Sequence, residues 1–277
     1  MKVVFIFTFS ILAALSFFSC DSMDQPTDFE SYEQRTQRAD YGDYNIRFPW
    51  MGIKDIKVTT IEYTSIETKK DPIPLDMEIF YPGDFDFSRK VPALIMPVVK
   101  RETMYGDMVD RAVMFASFGI PVIAVNYLQI SKQMIADNYS DALAFLIKNG
   151  KTLGIDSSNL AIFDAGGEVL ITTEALSKID PQLTDNIKYG LFFYGTIGKK
   201  NLETFPSHIK TVFYSGELIK KLNLEIEEVV TELSERGSDS KLITLAGRNY
   251  MFEYNNADDE IKEVLTDMIM EMKREIE

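Results

Sequence analysis

The chain contains one histidine, His208, and one cysteine, Cys20. That scarcity removes much of the usual side-chain chemistry. A transition-metal site draws on several imidazoles or thiolates, so no metal is expected here, and no cofactor. A general base working near neutral pH would have to be a carboxylate, lysine or tyrosine with a shifted pKa. Gly166-Gly167 is too short to be a phosphate-cradling loop. Asp258-Asp259-Glu260 stands at the head of an apolar-periodic segment and reads as first-turn acid facing a helix dipole, not as a cation loop. The remaining candidates are polar residues at the ends of apolar runs: Lys100, Arg101, Asp164, Glu168, Glu217 and Tyr250. Together they could bind a polar or charged ligand, or be solvated loop charges.

The elements that would position them occupy a chain of 277 residues with 45% hydrophobic and 26% charged residues, an ordinary balance for a soluble globular domain. A single α/β unit commonly uses ~250 residues. The net charge is −14, a surface that repels phosphate backbones and anionic membranes, so nucleic acid is an unsuitable partner. The start of the chain is different. Lys2 is followed by an apolar run, Val3 to Phe18, too short for a membrane span. Ser19-Cys20 follows at once. The arrangement resembles a bacterial lipoprotein signal, which implies removal of residues 1–19 and lipidation of Cys20. The alternative is an ordinary signal peptide with an incidental cysteine. Residues 20–45 are polar and aperiodic and read as the anchor cysteine with its tether. The folded domain is then 46–277, held to the membrane of a cell envelope through the lipid only.

From Ile46 onward strand-like runs alternate with helix-period segments, without internal repeats. Ile53 to Ser65 and Leu75 to Tyr81 read as strands, the second pairing antiparallel at one edge. Ala93 to Val99 and Pro121 to Tyr127 are continuous apolar runs, as in strands covered on both faces. Pro97 predicts an end or a bend in the first of them. Further strands are expected at 160–163, 188–194, 210–214 and 241–245. Helices are expected near 108–118, 132–149, 169–178 and 225–236, with a closing one marked by Ile261, Val264, Leu265, Met268 and Met272. Gly119 and Gly150 would close the first two, with Ile135, Ala142, Leu146 and Ile147 facing inward from the second. Such alternation predicts a three-layer α/β/α sandwich around a mostly parallel sheet. Ligands on such sheets bind outside the carboxyl ends of the strands.

Several phrases, in this order, resemble the α/β-hydrolase superfamily, especially its dienelactone-hydrolase and esterase-like branches: FASFGIPVIAVNY, SDALAFLIKNGKTLGIDSSNLAIF, NIKYGLFFYG, SHIKTVFYSGE and LITLAGRNYMF. The resemblance covers roughly residues 75–277 and implies a Ser-His-Asp triad. The residues that would supply it are missing. The family's nucleophile stands in G-x-S-x-G on a strained strand-to-helix turn. Against DAGGE, from Asp164 to Glu168, Gly166 falls on the serine, and it tolerates positive φ but has no nucleophile. A shift of one puts Ala165 there. A shift of two puts Asp164 there, as in the family's dehalogenases and epoxide hydrolases, but leaves Ile162 where a small residue is needed. The acid position falls on Ile219 in GELI, with Glu217 two places early, and the histidine position falls on Tyr250 in GRNY. The oxyanion loop reads Pro97-Val98-Val99-Lys100-Arg101, without glycine, and proline has no N–H to offer. His208 precedes the KTVFY strand and belongs at the opposite end of the sheet.

The favoured expectation is a non-catalytic hydrolase-fold lipoprotein. It would bind a small molecule or a protein through the former pocket, with Val98, Lys100, Arg101, Asp164, Glu168, Glu217 and Tyr250 at the rim. The alternative is a divergent hydrolase that uses Asp164.

Overall fold

A computed structural model describes residues 56–67, 71–99, 102–127, 132–255 and 258–277. The leader, Cys20, the tether, Lys100 and Arg101 lie outside these residues. The strands are β1 (Lys57–Ile66), β2 (Ile73–Tyr81), β3 (Val91–Val99), β4 (Val122–Tyr127), β5 (Ile155–Ala165), β6 (Ile187–Phe193), β7 (Lys210–Gly216) and β8 (Ser240–Leu245). They form one sheet in the order β1-β2-β4-β3-β5-β6-β7-β8. β2 runs antiparallel to both β1 and β4, and the pairs from β4 onward are parallel.

The strand predicted at the edge, LDMEIFY, lies one place further in, with β1 covering it. Burial gives the reason. Met77, Ile79, Phe80 and Tyr81 are almost wholly inaccessible, so this strand needs neighbours on both sides. β1 alternates between covered and exposed residues and suits the border. Pro97 does not end β3, which continues in register with β4 through Val99.

The helices are α1 (Glu102–Ser117), α2 (Lys132–Leu153), α3 (Glu168–Leu176), α4 (Pro181–Thr184), α5 (Lys199–Leu202), α6 (Lys220–Glu235), α7 (Phe252–Asn255) and α8 (Asp259–Ile276). α2, α3 and α6 pack on one face, where Tyr139, Leu146, Val169 and Ile226 meet Ile162, Phe192 and Phe213. α1, α7 and α8 pack on the other, where Val109, Phe115, Phe252, Leu265 and Met272 meet Phe163, Phe193 and Tyr214. Neighbouring β5 residues therefore serve opposite cores, Ile162 one and Phe163 the other. Each large apolar side chain so buried contributes roughly 1.5–3 kcal/mol.

Ile147, expected to point inward, is 40% exposed. The stripe of α2 runs through Ile135, Tyr139, Ala142, Leu143 and Leu146, and the residue after Leu146 is turned ~100° away. Nor does Gly150 close that helix. α2 continues to Leu153, and Gly154 closes it at φ +69°. Gly119 does close α1, at φ +83°. Asp258 caps α8, accepting the Ile261 N–H at 3.0 Å.

Candidate functional site

Between β5 and α3 the chain turns a corner at the carboxyl end of the sheet. Gly166 takes φ +67°, and its N–H donates to the Phe193 carbonyl at 2.8 Å. The turn is tight because β6 passes close behind it. A Cβ on Gly195 would overlap Val169 and the Gly166 carbonyl. On the outer side there is room. A Cβ on Gly166 would meet only ring carbons of Tyr194, at 3.7 and 3.9 Å, and one on Gly167 would meet nothing within 4 Å.

Asp164, two residues before the corner, points into the layer of α2 and α3. The Thr172 hydroxyl donates to its Oδ2 at 2.5 Å, and the Ala165 N–H donates to its Oδ1 at 2.8 Å. The Thr172 proton is thereby used, so the Tyr139 hydroxyl, 3.0 Å from Thr172 Oγ1, serves as donor to it. Burial pushes the Asp164 carboxyl up to about 7, and the nearby Glu168 carboxylate adds to the rise. The Thr172 and Ala165 hydrogen bonds oppose it. Burial likewise raises the Tyr139 phenol.

On the other face lies a second polar knot. Arg111 of α1 donates through Nη2 to the Tyr194 hydroxyl and to Glu253 Oε1, both at 2.8 Å. The Tyr194 hydroxyl donates to the same Glu253 oxygen at 2.6 Å. The Glu253 side chain is wholly inaccessible, and that of Arg111 is 13% exposed. The guanidinium also stands over the rings of Tyr254 and Phe163, at 5.2 and 6.0 Å. Phe252 packs on Phe193 and Tyr194, and Tyr250 meets Tyr194 edge-on at 5.7 Å. Glu253 Oε2 and Arg111 Nε are buried and unpartnered.

Strand order, one antiparallel strand, two helical layers and a tight β5–α3 corner together define an architecture that solved structures share. The carboxylesterase EstE1, cloned from a metagenomic library, has a TM-score of 0.61 at 12% identity, over 90% of this chain and 98% of that one. The chain has the α/β-hydrolase fold. An esterase of the fungus Rhizomucor miehei has a TM-score of 0.57 at 13% identity, over 91% of this chain and 93% of that one. Esterase 2 of Thermogutta terrifontis, phosphorylated by paraoxon, has 0.55 at 12%, over 78% of this chain and 94% of that one. No family model matches the chain, and no curated protein does. At these identities the likeness concerns the fold.

On the hydrolase fold, Gly166 occupies the corner, and the Tyr194 ring beside it meets the ring of Tyr250. Tyr250 is 48% exposed. Ile219 is buried at the head of α6, and its N–H donates to the Gly216 carbonyl. Glu217 is exposed and accepts the Gly247 N–H at 2.8 Å, which pins the loop after β8. Glu168 is half-buried, with the Tyr127 hydroxyl 3.5 Å from Oε2. Val98 is buried in β3 against the α1 layer and so lies beneath the rim. His208 lies before the amino end of β7, its Nε2 3.0 Å from the Thr184 carbonyl. Among the described residues no group of three or more histidines, cysteines or acids could hold a metal. No helix of the described residues is long and apolar enough to cross a membrane.

The sequence reading passed over Arg111, Tyr194 and Glu253, and with them Thr172 and Tyr139. One local signal existed. Asp110 and Arg111 interrupt the apolar stretch Val109 to Ala116, and Glu253 interrupts the largely aromatic stretch Tyr250 to Tyr254. A charge in such a setting needs a partner. The two partners stand 142 positions apart, a separation that no local pattern bridges.

Proposed function

We propose that this chain is a non-catalytic hydrolase-fold protein of a bacterial envelope, lipid-anchored at Cys20. It works by binding a small ligand or a partner at the carboxyl end of its sheet. One observation carries the non-catalytic reading. The corner position that would hold a nucleophile is Gly166, and the side chain beside it, Tyr194, is tied through its hydroxyl to Arg111 and Glu253. A nucleophile needs a base beside it, and a carbonyl under attack needs N–H donors. On the sequence pattern of the resemblance, Tyr250 falls on the histidine's position and Ile219 on that of its acid.

The divergent hydrolase is the weaker reading. Its candidate nucleophile, Asp164, has both oxygens engaged and faces α2 and α3. The anchor rests on the sequence alone: a short basic and apolar leader, then Ser19-Cys20, with no second cysteine to pair.

The test is a panel of short- and long-chain esters, amides and haloalkanes with purified protein. The expected result is hydrolysis no faster than in buffer. Turnover that disappears in Asp164→Asn would establish the hydrolase instead. Metabolic labelling with a fatty-acid analogue, lost in Cys20→Ser, tests the anchor.

A further inference from the structure

Glu253 reaches the core from a single helical turn, and its carboxylate is held as a small acid would be. Beyond its Cα the side chain has the shape of a propionate ion. Its Oε1 accepts from the Arg111 guanidinium at 2.8 Å and from the Tyr194 phenol at 2.6 Å. Arginine with a second charge-assisting donor is how proteins commonly hold carboxylates. Arg111 is itself steadied by the rings of Tyr254 and Phe163.

Two observations indicate that this contact is held at a cost. Among the described residues, the non-glycine residues at positive φ are Tyr194, at +35°, and Met251, at +53°. One supplies the phenol, and the other turns the chain into α7 two residues before Glu253. Backbone strain of this kind clusters at clamps and switches. The pair is also incompletely satisfied, since Glu253 Oε2 and Arg111 Nε are buried without partners. Displacement of α7 would relieve the turn at Met251 and bring Glu253 Oε2 to water, and both reduce the work of parting Glu253 from Arg111. On the corner side, Gly166 has no side chain against the Tyr194 ring, where a Cβ would meet only ring carbons at 3.7 and 3.9 Å.

We propose that Arg111 and Tyr194 form a carboxylate-binding site that the chain's own Glu253 occupies, and that a small monocarboxylate binds by displacing Glu253 together with α7. Phe163, Phe193 and Tyr194 would then offer an aromatic wall to a short apolar tail. The inference rests on the ligand-binding reading above and names the chemistry of the ligand. Self-occupation makes the apparent affinity low, since the competent state is only the fraction with α7 displaced.

The experiment uses the full chain with propionate as probe and propionamide as its uncharged control. Binding is read by calorimetry, and displacement by hydrogen exchange at the amides of residues 251–255. Propionate is expected to bind the unmodified chain weakly and to speed exchange at α7, while propionamide does neither. Glu253→Gln weakens the internal competitor and is expected to bind propionate roughly ten-fold more tightly or better. Arg111→Gln is expected to lose the response. The decisive reading comes from the unmodified chain, so it survives a variant that fails to fold. If exchange at α7 does not change at saturating propionate, the proposal is wrong, even where propionate rescues Glu253→Ala. Arg111–Glu253 would then be a structural ion pair only. Equal binding of propionamide would also overturn it. Ester turnover would refute the non-catalytic reading and leave the propionate result standing; a silent α7 in a chain without turnover would refute only the present one.

Discussion

Asp164 and Glu253 are buried on opposite faces of the same sheet, 7% and 0% exposed, yet they meet different company. Asp164 receives a hydroxyl and an amide, both neutral, and its carboxyl is pushed up to about 7, mainly by burial. Glu253 receives a guanidinium and a phenol. Inaccessibility alone therefore does not decide how a buried acid is accommodated. One face manages its acid by letting it keep a proton near neutral pH, and the other by placing a full positive charge beside it. The first arrangement responds to pH and the second to loss of its partner.

The largest effect should come from breaking the second arrangement. Glu253→Ala leaves Arg111 buried and uncompensated, which costs about 3–5 kcal/mol. It should appear in urea unfolding as a lower midpoint at unchanged slope. Replacing both partners, Arg111→Met with Glu253→Leu, should cost far less than the sum of the single changes. A Glu253→Ala loss below about 1 kcal/mol would erase the contrast, because the ion pair would then do no more than an exposed one.

Next in size is the pH dependence on the other face. Asp164 has a folded pKa of about 7 against an ordinary 3.8, so the folded state holds a proton that the unfolded state releases. Its contribution to stability is therefore present below pH ~4, declines as pH rises, and is fully lost above pH ~7. Asp164→Asn mimics the protonated form. Its Oδ1 can take the Ala165 N–H, while its Nδ2 donates to Thr172, whose proton then turns to Tyr139. The variant should match the parent at pH 4 and exceed it at pH 8 by up to roughly 4 kcal/mol. A gain that is equal at both pH values would show that Asp164 keeps its charge throughout.

These two knots also mark what was legible in the sequence. The layers and the parallel sheet follow from local patterns, the continuous apolar runs Ala93 to Val99 and Pro121 to Tyr127 and the closing glycine Gly119, while the corner at Gly166 follows from the resemblance of Asp164 to Glu168 to the family's strand-to-helix turn. The position of β2 was not legible, because LDMEIFY alternates as an edge strand does while packing on both sides. The direction of Asp164 could not be read either. A strand residue faces one layer or the other by register, and a single-residue shift reverses it. Arg111 and Glu253 were invisible as a pair for a simpler reason, since their contact is made by the folded chain and by no repeat or spacing within it. Lys100 and Arg101, read as rim residues, lie outside the described residues.

A smaller effect should separate the charged and neutral states of Asp164. Thr172→Val removes the hydroxyl that donates to Oδ2. At pH 8 an ionised acceptor loses its donor, at about 1.5–3 kcal/mol, and at pH 5 a neutral hydrogen bond is lost, at about 0.5–1.5 kcal/mol. Unfolding curves at the two pH values measure the difference. A cost that does not change with pH would place the ionisation of Asp164 outside this window.

The smallest effect tests the corner that separates the two faces, and it should change sign between adjacent glycines. Neither is crowded where a Cβ would go: at Gly166 it would make ordinary contact with the Tyr194 ring, and at Gly167 it would meet nothing within 4 Å. They differ in backbone: Gly166 has φ +67°, whereas Gly167 has φ −65° and ψ −22°, ordinary right-handed values. Gly167→Ala should stabilise by about 0.4–1 kcal/mol, since alanine restricts the unfolded chain and fits the native conformation. At Gly166 the same entropic gain is outweighed by the left-handed penalty of about 1–2 kcal/mol, so alanine should destabilise by roughly 1 kcal/mol. Thermal unfolding of the two variants checks it. Should Gly166→Ala match or exceed Gly167→Ala in stability, the turn is not held at positive φ. The corner would then be free to re-aim, and the separation between the Asp164 face and the Glu253 face would lose its rigid divider.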